Sequence, residues 1–153
     1  MTIQLLTTHL SQEYAATGEF LELLELEAQA MTVGDFGALP ALAQRKSQLA
    51  DQIAALNNQR EKGQLATGFP AGRVGAQAYA ESGGPDLEQA WSDLLARAAL
   101  ARENNHRNGV MIHTHLDFTR QSISFLQARG QPLYGADGSH HAGTASGNRL
   151  AVG

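Results

Sequence analysis

From Leu87 to Leu126 the chain repeats one pattern without a slip: Leu87, Trp91, Leu94, Ala98, Ala101, Asn105, Asn108, Ile112, Leu116, Thr119, Ile123 and Leu126 fall at steps of three and four. Only an α-helix gathers such positions onto a single face. Pro85 is a favoured first helical residue, and Gly130 with Pro132 ends the pattern. The spacing therefore predicts a helix over about 85–129, roughly 45 residues and about 67 Å long at 1.5 Å per residue. The pair Asn108-Gly109 is also a turn signature that could split it, but the phase passes through both residues and favours one rod. A rod of this length cannot bury its own stripe, so the fold must supply helical neighbours.

Two neighbours are legible upstream. Ile3, Leu6, Leu10, Tyr14, Thr17, Leu21, Leu24, Ala28 and Met31 repeat at near-heptad spacing, which predicts a first helix over about 2–33, with Gly18 as a blemish inside it. Gly34 is a plausible C-cap and Asp35 a plausible N-cap, so a tight helical hairpin follows. The second helix, about 36–62, places Phe36, Leu39, Leu42, Leu49, Ile53 and Leu56 on one face. Pro40 is tolerable only in or near its first turn, which puts the start between Asp35 and Leu39. Residues 63–84 turn to Gly, Ala, Gln and Ser and are expected to be a long mobile loop. The expectation is an all-α, antiparallel three-helix coiled-coil-like bundle: a single helical domain over 1–130 with one long C-terminal helix, and a flexible tail over 131–153.

Composition narrows the function classes. The chain has 153 residues, 42% of them hydrophobic, which suits one modest domain. It shows no apolar run long enough for a membrane span and no signal-peptide pattern at its start, so a cytosolic location without membrane insertion is expected. The absence of cysteine removes disulfides, thiolate catalysis and Cys-based metal sites. A net charge of -4 without a clustered basic face speaks against nucleic acid. Charge is uneven along the chain: residues 1–44 carry six carboxylates and no Lys or Arg, whereas Arg45, Lys46, Arg60 and Lys62 follow. The two segments could pair as neighbouring helices through solvated faces, or the acidic one could steer a basic partner.

No catalytic constellation is present: neither a phosphate-cradling Gly loop nor a nucleophile elbow. His113 and His115 point about 200° apart on a helix and His106 lies seven residues from His113, so a metal site and a cofactor are not expected. Two binding features remain. Asn105 and Asn108 interrupt the apolar seam, either as a register-fixing polar layer or, with Gly109 permitting close approach, as receivers of a partner's polar groups. Met111, Phe118 and Phe125 then repeat every seven residues beside Ile112, Leu116, Ile123 and Leu126, widening the apolar arc to nearly half the helix circumference. Part of that arc is core in any bundle. The first two helices shield only some 30 residues of the third, however, which leaves roughly 15 residues for another protein if the excess lies toward Gln127.

Three stretches resemble a known family. Leu23 to Leu49 (LLELEAQAMTVGDFGALPALAQRKSQL) is similar to the helical hairpin of the FlgN-type flagellar export chaperones. Asn105-His106-Arg107-Asn108-Gly109 is similar to the N-x-x-N-G signature inside that family's last helix, and Leu133-Tyr134-Gly135-Ala136-Asp137-Gly138 resembles the L-Y-G-x-D-G element that follows it. Asn104, where the family tends to have leucine, and Pro40 depart from the pattern. The resemblance implies a cytoplasmic, non-enzymatic chaperone without a cofactor. It would bind hook-associated junction proteins and deliver them to the export gate of the flagellar type III apparatus. Its substrate site would be Asn105, Asn108, Gly109, Ile112, Leu116, Phe118, Ile123, Phe125 and Leu126, and Tyr134 its contact with the gate. From the residues alone, a coiled-coil scaffold that closes a homo-oligomer through the same arc is the competing reading.

Overall fold

The computed structural model describes residues 2–129, and among these every regular element is helical. Helix α1 spans Ile3–Val33, a 3-10 turn follows at Phe36–Ala38, and α2 spans Leu39–Ala66, α3 Gly72–Ser82 and α4 Pro85–Ala128. The fold is all-α. The chain divides into two compact units, one ending at Asn108 and one beginning at Gly109. The expected tail over 131–153 lies outside the described residues.

Local chemistry sets the ends of α1. Thr2 caps it, its Oγ1 accepting the Leu5 N–H at 3.1 Å. Gly34 closes it in the left-handed region at φ 79°, with the Asp35 N–H reaching the Ala30 carbonyl at 2.8 Å. Asp35 is not the cap of the next helix. It precedes the 3-10 turn and makes no side-chain capping bond, and α2 starts at Leu39, where Pro40 takes one of the first two positions and no N–H is missed.

In the first unit, α1 and α2 run antiparallel: Glu13 meets Arg60 and Glu27 meets Lys46. Helix α4 returns parallel to α1, since Trp91 and Leu94 pack in the cluster of Leu10 while Asn108 reaches Leu24. The order is up, down, up, as expected for the three long helices.

Residues 63–84 do not form the expected loop. Gly63 lies inside α2, which continues through the fully buried Gln64, and α3 closes the base of the core. Ala76, Tyr79 and Ala80 repeat at helical spacing and pack with Leu6, Leu10, Leu87, Trp91 and Leu94, while Phe69 stacks on Tyr79 at 4.7 Å. Gly75 is required by a close approach, because a Cβ there would stand 1.6 Å from the Pro70 carbonyl oxygen. Glycine and alanine serve here as thin residues that let a short helix come close. Gly18 has a similar role, leaving room for Arg97, whose guanidinium lies 3.4 Å from the Tyr14 ring centroid.

Candidate functional site

The face of α1 that meets α2 and α4 carries two buried glutamates. Glu13 accepts Arg60 Nε at 2.6 Å, with both side chains about 95% buried. Arg60 also donates to Gln64 Oε1 and Asn57 Oδ1, and its guanidinium lies 4.9 Å from the Trp91 ring centroid. A second node sits higher on α1. Glu27 accepts Lys46 Nζ at 3.1 Å and Asn108 Nδ2 at 3.0 Å, Asn108 Nδ2 also reaches the Leu24 carbonyl at 2.8 Å, and Lys46 Nζ continues to Asn105 Oδ1 at 3.0 Å. Every charge in these nodes is paired and hydrogen-bonded, the condition under which charges survive burial.

This arrangement sorts the residues that the sequence nominates. Asn108 is 1% exposed and fully engaged through its amide nitrogen with α1, so it clamps α4 in register and offers its donors to no other protein. Asn105 is exposed but holds Lys46. Glu13, Glu27, Arg60 and Gln64 were missed as core residues, because charged and amide side chains read as solvent-facing. The signal that could have found them is spacing: Leu10, Glu13 and Thr17 continue the buried stripe at steps of three and four.

Beyond Asn108 the same helix changes character. The described residues from Gly109 to Arg129 include none that is buried. Leu116 is 44% exposed, Phe118 67%, Ile123 40% and Phe125 59%, while Ile112 and Leu126 are half-buried. At 100° per residue Ile112, Leu116, Ile123 and Leu126 fall within one arc of about 80°, and Phe118 and Phe125 extend it to about 180°. Gly109 has open space around its Cβ position, so no close packing calls for glycine there. Among the described residues of this second unit these six side chains therefore share one side of the helix over about 21 Å, from Ile112 to Leu126 at 1.5 Å per residue, with His115, Thr119 and Ser122 set between them. Isolated exposed apolar residues are ordinary, whereas several large ones sharing one side of a helix are the unusual feature here.

No group of three or more His, Asp or Glu residues among those described is placed to hold a metal ion, and no described helix is long and apolar enough to cross a membrane. What the arrangement offers is a clamped helical frame and an apolar helix face.

The family model described as FlgN protein matches residues 1–142. The chain belongs to the FlgN family. A flagella synthesis protein FlgN of Yersinia enterocolitica is 26% identical over 155 residues, which cover 99% of this chain and 100% of the relative. Its counterpart in Proteus mirabilis is 28% identical over 71 residues, 46% of this chain and 49% of the relative. No solved structure matches. The FlgN-family match extends across Leu133 to Gly138 and so includes Tyr134, which lies outside the described residues. The Asn105 to Gly109 signature falls where the clamp to α1 ends and the exposed face begins.

Proposed function

We propose that this chain acts in flagellar assembly as a cytosolic export chaperone without catalytic activity. It binds hook-associated junction proteins and hands them to the export gate of the flagellar type III apparatus. Membership of the FlgN family and relatives named for flagella synthesis support the setting. The observation that carries the chaperone reading is the exposed face of Leu116, Phe118, Ile123 and Phe125 on a helix with no buried residue past Asn108. A secreted subunit held as an amphipathic helix against that face would keep its own apolar surface from premature association. Gly109, Ile112 and Leu126 border the contact, and Phe118 and Phe125 anchor it. Tyr134, an aromatic beyond the helix, makes the separate contact with the gate.

Co-purification with individual hook-associated proteins, followed by light scattering against the chain alone, tests this. A stoichiometric complex is expected, and Phe118→Ala combined with Phe125→Ala weakens it at least about tenfold, as loss of central aromatic anchors does. Tyr134→Ala leaves affinity intact and lowers export. Equal loss of affinity in both variants breaks the division of labour. A chain that self-associates and ignores every hook-associated protein replaces the chaperone with a homo-oligomeric scaffold.

A further inference from the structure

The first unit holds an open groove of about 670 Å³ bounded by all three long helices. One wall is α2, through Ala50, Ile53, Ala54 and Asn57; the other is α4, through Trp91, Leu94, Ala98 and Ala101; Thr17 and Phe20 of α1 form the floor. The α2 set falls at positions i, i+3, i+4 and i+7 and the α4 set steps by three and four, so each of these helices turns one regular face inward. The wall on α4 runs from Trp91 to Asn105, about 21 Å, or close to four helical turns. A trough of this length between two antiparallel helices, lined by alanines, is where a four-helix bundle places its remaining helix.

Two further observations indicate what would fill it. Arg102 and Arg73 line the groove, are exposed, and have no hydrogen bond or ion pair among the described residues. The lining carries three arginines, Arg60, Arg73 and Arg102, against two glutamates, Glu13 and Glu61, and Glu13 is already paired with Arg60. In a chain of net charge -4, the groove lining therefore carries one positive charge in excess. Trp91, in the wall, keeps its indole Nε1 buried without a hydrogen-bond acceptor. Buried donors of this kind are rare in finished interiors.

We infer that this groove is a second docking surface, distinct from the C-terminal face of α4, and that it takes an amphipathic helix from another protein. That helix carries small and medium apolar side chains on its inner face and acidic side chains beside them, at least one pairing with Arg102. Charge steers and orients it, and the alanine-lined trough sets its depth.

Trp91 is the sole tryptophan, so its emission reports occupancy of the groove directly. Two synthetic helical peptides of about 15 residues, roughly 22 Å, with the same Ala and Leu face and flanked by Glu in one and Lys in the other, are titrated into the full chain. The Glu-flanked peptide is expected to shift the emission saturably and to bind at least about tenfold more tightly than the Lys-flanked one. Arg102→Glu inverts that preference, Ala98→Phe abolishes the signal, and Phe118→Ala with Phe125→Ala leaves it unchanged. Circular dichroism checks the fold of each variant; if Ala98→Phe does not fold, the exposed Arg102→Glu carries the test alone. The inference is overturned if neither peptide shifts the emission or if both bind alike. It also fails if the Phe118 and Phe125 variant loses the peptide. Self-association of the unliganded chain in sedimentation, relieved by Ala98→Phe, would assign the groove to a second copy instead.

Discussion

The two halves of α4 have the same secondary structure and the same apolar spacing, yet they live in different solvents. Residues 85–108 bury Leu87, Trp91, Leu94, Ala101 and Asn108, whereas the described residues from Gly109 onward bury none. Helical periodicity identifies a face that must be covered, and it does not say by whom. The first half is covered by α1 and α3 through the core, and α1 holds its upper end by the Asn108 clamp. An isolated 20-residue segment is a marginal helix in water. Here it continues a helix already nucleated, so it needs only propagation and keeps its apolar face displayed.

The contrast is tested most severely at the paired charges of the first half's neighbours. Arg60→Ala removes the partner of buried Glu13 and strands Gln64 and Asn57 as well, and is expected to destabilise the chain by about 3–5 kcal/mol in urea unfolding. Asn108→Ala deletes two bonds to α1 and leaves Glu27 with Lys46 alone, for an expected loss of about 1–3 kcal/mol. Gly109→Ala meets no neighbouring atom, so the expected change is a gain of about 0.5–1 kcal/mol in helix stability, read as slower amide exchange after residue 109. Phe118→Ala with Phe125→Ala, severe for binding in the proposal above, is expected to shift global stability by no more than about 0.5 kcal/mol per site. If that double variant unfolded the chain, the second half of α4 would be core and the comparison would collapse.

Much of the architecture was legible because it rests on backbone chemistry and spacing. The apolar stripe of α1, the Gly34 stop, the start near Pro40 and the unbroken α4 all follow from residues whose local preferences agree with the fold. The 63–84 segment misled because alanine and glycine signal flexibility when nothing is known of their neighbours. In place they allow α3 to approach the 67–71 turn and the core. Glu13, Glu27 and Arg60 misled for the opposite reason: each is costly to bury alone, and only the partner on another helix makes the position tolerable. At the candidate site the exposed phenylalanines were readable as an arc, while the fate of Asn108 depended on Glu27 and Leu24, more than 80 residues away in the chain.

The Gln64 side chain spans from Arg60 to the carbonyls of Pro70 and Gly72. The turn between α2 and α3 is therefore measured against a fixed ruler six to eight residues long. Most surface turns absorb an inserted or deleted residue with little penalty. This one converts any change of length into a broken amide network beneath Trp91. Natural insertions, epitope tags and new chain termini should be excluded from 67–71, although nothing in that glycine-bearing stretch advertises the restriction.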